Sequence, residues 1–345
     1  MYINLMTDEN KNIYLSYWIL LITSLVSLMI VVGGLTRLTD SGLSITRWDL
    51  ISGILPPLTL EDWNKSFLLY KMIPEYKLLN SSMSLDEFKT IYWWEYTHRL
   101  LGRIIGLFYI IPLIFFTFVG VKNFKKLLSF YLIFCLICFQ GFVGWYMVKS
   151  GLTERTDVSH YRLSLHLVIA FIILLALIWN YLDLKIKRTS FLRKRLPYQL
   201  PLIFIHLLLL QIIFGAFVSG LDAGQIYQTW PLMNQTYFPD DSSYKDLLSF
   251  SSFNNPSIVQ FIHRNLAYLI LLVFCSMLFL LFKNNTFLYL RSSFLFVFIS
   301  LLIQVALGIL TILSGATIIV ASLHQIGSIF LVITSIIFVH KNYKS

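Results

Sequence analysis

The chain has 345 residues, 57% of them hydrophobic and 13% charged, with a formal net charge of +10. That balance excludes a water-soluble domain of ordinary composition and makes this an integral membrane protein. The excess positive charge sits in short loops without an aromatic-basic module, so it reads as an orientation signal and an attraction to anionic lipid; no nucleic-acid partner is expected.

Apolar runs long enough to cross about 30 Å of hydrocarbon as helix fall near residues 16–36, 97–119, 127–148, 161–182, 200–220, 258–282, 293–313 and 319–340. They are continuously apolar rather than alternating, which selects helices over a barrel. The first run follows Asp8, Glu9 and Lys11 and closes without a small-x-small site, so it is expected to be a retained span rather than a signal peptide. Lys122, Lys125 and Lys126, then Lys185, Lys187, Arg188, Arg193, Lys194 and Arg195, then Lys283 and Arg291, and finally Lys341 and Lys344 all fall on one side of such an arrangement. That side is expected to be cytoplasmic, with both termini inside.

The first span reaches Gly33 and Asp40-Ser41-Gly42, and a long outer stretch follows, residues 38–95. Thr59-x-x-Asp62 and Ser84-x-x-Glu87 resemble helix starts, with Trp63, Phe67 and Leu68 between them. The stretch reads as a lid lying on the membrane surface or as an interfacial anchor, with Trp93 and Trp94 in the aromatic belt. Cys135-x-x-Cys138 in the third run and Cys275 in the sixth all lie inside apolar spans, which leaves no loop disulfide framework. The CxxC spacing reads as two small hydrophobes rather than a redox pair.

From the fifth span onward the chain repeats itself. Gly33, Asp40 and Trp48 have counterparts at the same spacing in Gly215, Asp222 and Trp230. Gln140/Gly144/Ser150/Gly151 match Gln304/Gly308/Ser314/Gly315, His98-Arg99 matches His263-Arg264, and Ser164-Leu165-His166 matches Ser322-Leu323-His324. The expected architecture is therefore an all-α membrane protein of eight transmembrane helices in two pseudo-symmetric four-helix bundles, 1–183 and 184–345, related by an axis along the membrane normal.

His98, His166, His263 and His324 all fall within about two turns of the outer ends of their helices. In each half the pair comes from the second and fourth helices, which face one another across a bundle core. Two facing neutral imidazoles form a six-coordinate b-type haem site. The alternative for any single one is a core imidazole hydrogen-bonded to a neighbouring helix. Four small residues at i+4, Gly102, Ala170, Ala267 and Ser328, leave room for a porphyrin or serve helix packing. His160, His206 and His340 lack repeat partners and read as structural or surface residues. Zinc or copper would need three or four converging ligands, which the repeat does not offer.

The halves differ at one position of chemical weight: Glu95 precedes His98 by three residues, whereas Gln260 precedes His263. A carboxyl on the His98 side of the helix suits proton relay or stabilisation of positive charge; the alternative is an interfacial carboxylate paired with Arg99 or a loop cation.

The run Gly33-Gly34-Leu35-Thr36-Arg37-Leu38-Thr39-Asp40-Ser41-Gly42-Leu43-Ser44, then Glu95-Tyr96-Thr97-His98-Arg99-Leu100-Leu101-Gly102-Arg103, with His166, His263-Arg264 and His324, closely resembles haem A synthase (heme A synthase) of the alphaproteobacterial and mitochondrial type. The outer-loop cysteine pair of some bacterial members is absent. The resemblance covers nearly the whole chain. It implies an oxidoreductase of the inner membrane that oxidises the C8 methyl of haem O to a formyl group, with water-derived oxygen, giving haem A for cytochrome oxidase assembly. It further implies haem O on the iron ligands His98 and His166 in the N-terminal half, a haem b cofactor on His263 and His324 in the C-terminal half, and Glu95 as the catalytic acid. Arg99 and Arg264 read as haem propionate contacts or as side chains snorkelling to the interface. Expected partners are haem O synthase, cytochrome oxidase assembly factors, the lipid bilayer and a second copy in a homo-oligomer. A di-haem b electron carrier and a haem-handling transporter or assembly factor are the competing classes.

Overall fold

In a computed structural model the described residues are 8–49, 52–118, 124–154, 156–186 and 194–344. Lys122, Lys187, Arg188 and Arg193 of the loop-charge reading lie outside them. Ten α-helices carry these residues: α1 (Asp8–Leu38), α2 (Leu60–Tyr70), α3 (Pro74–Leu78), α4 (Leu85–Phe118), α5 (Phe124–Glu154), α6 (His160–Lys185), α7 (Leu200–Gly220), α8 (Pro256–Lys283), α9 (Leu288–Leu313) and α10 (Ile318–Lys344). Among the described residues the only β feature is an isolated bridge between Met233 and Thr236. All but α2 and α3 are long and apolar enough to cross a membrane, giving eight candidate spans.

The spans fall where hydropathy puts them, with one informative difference. The second was expected from residue 97, yet α4 begins at Leu85. Hydropathy locates the lipid, whereas a helix ends where its backbone donors find a cap. Here the cap is Ser84: its Oγ accepts from Glu87 N at 3.3 Å, and Glu87 Oε2 accepts from Ser84 N at 2.7 Å. Thr59 and Asp62 form the same reciprocal box at the start of α2. Both Asp40, just beyond α1, and Asp222, just beyond α7, adopt left-handed backbone (φ 48° and 50°), so the repeat extends to how these two helices are terminated.

The chain groups into two compact units, one of residues 24–173 and one combining 8–23 with 174–344. In the first, the segment between α1 and α4 folds onto the membrane-distal extension of α4. Leu43, Phe67, Tyr70, Ile73, Phe88, Tyr92 and Tyr96 form its buried core. Phe67 stacks on Phe88 at 5.0 Å between centroids, and Tyr96 Oη donates to the Ile54 carbonyl at 2.6 Å. The opposite side of this lid leaves Leu60, Leu68, Met72 and Leu78 exposed, as an interfacial segment would. In the second unit, α7 to α10 pack around Phe204, Phe274, Phe294 and Phe338, with Phe274 stacked on Phe294 at 4.6 Å. At the far end of α10, buried His340 meets Asp183 at 2.8 Å, and Asn342 Oδ1 accepts from Leu196 N at 2.9 Å. His340 is thus a structural residue of the helix ends.

Inside the lid, Glu75 is 4% exposed and accepts from Tyr70 Oη at 3.1 Å, while Asn80 Nδ2 donates to the same hydroxyl at 2.8 Å. Burial pushes the Glu75 carboxyl up from its ordinary 4.5 to about 8. The folded lid therefore binds one more proton than the unfolded lid between those values, so its stability falls as pH rises through that window. Hydrogen exchange of residues 52–84 should accelerate from pH 5 to pH 8 beyond the intrinsic base catalysis. Glu75→Gln should abolish the excess; an excess that survives in the variant contradicts the assignment.

Candidate functional site

The four repeated histidines share one local construction. His98 on α4 lies against Gly33 of α1, His166 on α6 against Gly144 of α5, His263 on α8 against Gly215 of α7, and His324 on α10 against Gly308 of α9. A Cβ on those glycines would stand 3.2, 3.0, 3.3 and 3.0 Å from the nearest imidazole atom, closer than carbon atoms pack without strain. Glycine is what admits an imidazole against a neighbouring backbone at each place. The repeat had already set these glycines in register, but nothing in one sequence says that each faces a histidine.

In the first unit the His98 and His166 rings lie 6.4 Å apart between centroids and are inclined at 78°. Two imidazoles ligating one metal at about 2.0 Å per nitrogen, with each centroid about 1.1 Å behind its nitrogen, would be about 6.3 Å apart. All four rings are only half-buried although their helices are apolar. Nδ1 of His166, His263 and His324 is buried without a hydrogen-bond partner, unlike a satisfied core histidine. Among the described residues no three His, Cys, Asp or Glu side chains converge as a metal site. Each imidazole pair therefore suits a metal whose remaining ligands come from elsewhere, as the four nitrogens of a porphyrin supply. The donor set and the glycine cradles of both pairs, and the spacing of the His98–His166 pair, fit haem iron.

Glu95 and Gln260 occupy equivalent places but hold their loops differently. Glu95 is 2% exposed; its Oε2 accepts from Ser44 Oγ at 2.8 Å and from Ile45 N at 2.6 Å, while Oε1 pairs with Arg99. Arg99 also donates to the carbonyls of Ile45 (2.7 Å) and Arg47 (2.8 Å) and lies over the Trp48 ring. Every partner of Glu95 is a donor, as a carboxylate requires. Gln260 Nε2 instead donates to the Tyr227 carbonyl at 3.1 Å, and its Oε1 accepts from Arg264 at 3.3 Å. Arg264 further donates to the carbonyls of Tyr227 and Thr229, both at 2.9 Å. Arg99 and Arg264, expected at propionates or snorkelling to the interface, bind loop carbonyls here, and Ser44 and Ile45 are site residues that sequence reasoning missed. The Asp40-Ser41-Gly42 repeat was the available signal, since the loop it opens returns to α4 just as the Asp222 loop returns to α8.

His160 is buried at the start of α6 beside Tyr161, His206 is exposed with Nδ1 2.7 Å from the Leu202 carbonyl, and the three cysteines are free thiols. Gly102, Ala170, Ala267 and Ser328 are each half-buried one turn along from their histidines.

Fold and site together define a multi-pass helical membrane protein built around two glycine-cradled histidine pairs. The chain belongs to the family described as cytochrome oxidase assembly protein, whose model matches residues 16–336. It is 50% identical over 336 residues to a protein named heme A synthase from Pelagibacter ubique (strain HTCC1062), covering 97% of this chain and 98% of that relative. It is 43% identical over 325 residues to the heme A synthase of Rickettsia bellii (strain RML369-C), covering 92% and 95%. Its identity to that of Parvibaculum lavamentivorans (strain DS-1 / DSM 13023 / NCIMB 13966) is 48% over 268 residues, 77% of each chain.

The cradle makes a testable distinction among glycines. Gly308→Ala puts a methyl 3.0 Å from His324, whereas a Cβ on Gly106 meets nothing within 4 Å. Haem measured per purified chain should fall by about one equivalent for Gly308→Ala and stay unchanged for Gly106→Ala. A full haem complement in Gly308→Ala would show that the cradle does not position the ligand.

Proposed function

We propose that this chain makes haem A: it oxidises the C8 methyl of haem O to a formyl group in the inner membrane, for assembly of cytochrome oxidase. The observation that carries the reading is end-to-end similarity to proteins named heme A synthase, at 50% identity over 97% of the chain, with Glu95 and all four histidines inside the family match at 16–336. In this reading His98 and His166 hold the substrate haem O, and His263 and His324 hold a haem b cofactor. The domain division at 183/184 follows the same assignment, one haem to each half, and the termini face the cytoplasm as the loop cations indicate.

Converting a methyl to a formyl group with oxygen from water releases four protons and four electrons. A haem b held by His263 and His324 would supply one-electron redox chemistry, passing the four electrons singly to an electron acceptor outside the chain, and this chain's own residues handle the protons. Glu95 is the acidic group beside the substrate pair. Ser44 Oγ, Ile45 N and Arg99 hold its carboxylate fixed and ready to accept a proton at an oxygen, a role Gln260 cannot perform in the other half. The lid core around Phe67, Phe88 and Tyr92 braces the part of α4 that carries Glu95 and keeps bulk water from it. Arg99 and Arg264 hold the loops over the two pairs; Arg264 Nε, buried without a partner, is a donor for a haem propionate.

Haem extracted from the full chain after supply of haem O should contain haem A beside haem B. Two equivalent, permanent haem B groups and no haem A would instead indicate an electron carrier. In Glu95→Gln, haem content should persist while formyl production falls about 100-fold or more, the scale of a lost general base; undiminished product would remove Glu95 from the chemistry.

A further inference from the structure

The four histidine cradles differ one turn along from their glycines. Four residues before Gly144, Gly215 and Gly308 stand Gln140, Gln211 and Gln304; four before Gly33 stands Met29. Gln140 Nε2 donates to the His166 carbonyl at 2.9 Å. Gln211 Nε2 donates to the His263 carbonyl at 3.1 Å and lies 3.2 Å from His263 Nε2. Gln304 Nε2 lies 3.4 Å from His324 Nε2. The His166 and His263 turns are thus tied through their carbonyls to the neighbouring helix by an amide, and at His324 a third amide lies beside the ring.

Met29 offers no such donor. Its Cε lies 3.4 Å from where a Cβ on Gly102 would stand, one turn along α4 from His98. The His98 ring also turns a different edge to its glycine: Nε2 is the nearest atom to Gly33, whereas Cε1 is nearest at the other three.

Resting on the reading of the two pairs as haem sites, we propose that Met29 makes His98 the exchangeable iron ligand of the four. The N-terminal pair then takes up substrate and releases product, while the C-terminal pair retains its cofactor. In a bilayer no water replaces a broken interhelical hydrogen bond, so a histidine turn held by a glutamine moves only with its neighbour. A thioether is apolar, flexible and without directional demand, and lets the His98 turn shift by sliding. The N-terminal pair then has one fixed ligand, His166 held by Gln140, and one free ligand, His98. Met29 is a positioning residue here, acting through His98.

The test follows haem transfer from the full chain in lipid nanodiscs, loaded with haem O and haem B, to excess apomyoglobin. Wild type should release one haem fast and one slowly. Met29→Gln should slow the fast phase about tenfold, the scale of one interhelical hydrogen bond in a bilayer, and leave the slow phase unchanged. The reciprocal Gln211→Met should speed the slow phase by a similar factor. Two bound haems leaving both variants at wild-type rates overturns the proposal. If Met29→Gln does not load its N-terminal pair, an unchanged slow phase in Gln211→Met overturns it alone. A wild-type chain that loads fewer than two haems overturns the haem-site reading on which the proposal rests.

Discussion

Everything at the two sites depends on an imidazole being allowed to lie against a neighbouring helix backbone. At each of four places a glycine permits this, and a single methyl there would come within 3.0 to 3.3 Å of the ring. Overpacking of that kind costs about 1–3 kcal/mol where the surroundings cannot give way. An interhelical hydrogen bond in a bilayer contributes about 0.6–2 kcal/mol by comparison. The cradle is therefore at least as strong a constraint on ring position as the glutamine tethers. It also explains why the repeat keeps glycine on one helix in register with histidine on the next: the two residue types specify one contact.

The halves part company in what surrounds that contact. Around His98 the chain has a carboxylate held by Ser44, Ile45 and Arg99, a helical lid with its own aromatic core, and methionine in place of a tether. Around His263 it has a neutral amide in the carboxylate's place and a glutamine on the histidine turn. A buried carboxylate needs its donors, because an unpaired charge in such surroundings costs several kcal/mol. The loop after α1 is accordingly shaped to supply them from Ser44 and the Ile45 backbone. The loop after α7 faces an amide, which needs an acceptor, and presents the Tyr227 carbonyl instead. One substitution, carboxylate for amide, thus reverses the hydrogen-bond polarity that the adjoining loop must offer.

Much of this was legible in the sequence, because membrane helices declare themselves by continuous hydropathy and because the same motifs occur twice along the chain. The eight spans, the two capping boxes at Thr59 and Ser84, the histidine pairing of the first unit and the Glu95/Gln260 difference all follow from spacing and residue type. The extension of α4 back to Leu85 was not legible from hydropathy, since residues 85–96 are too polar to mark a span, although Ser84-x-x-Glu87 marked the cap. The pairing of each glycine with a histidine, the binding of Ser44 and Ile45 to Glu95, and the spending of Arg99 and Arg264 on loop carbonyls were not legible either. These are contacts between residues distant in the chain, set by which helix faces which. Met29 was visible only as one more apolar residue until the glutamines on α5, α7 and α9 were seen at work.

The central claim is that each imidazole pair holds one haem iron between two histidines. Low-temperature electron paramagnetic resonance of the oxidised, haem-loaded chain reads that ligation directly. The account predicts two low-spin bis-imidazole signals per chain, of which substitution of His166 removes one and substitution of His324 removes the other. A single low-spin signal in the wild-type chain, or two that vanish together on loss of either histidine, would contradict it.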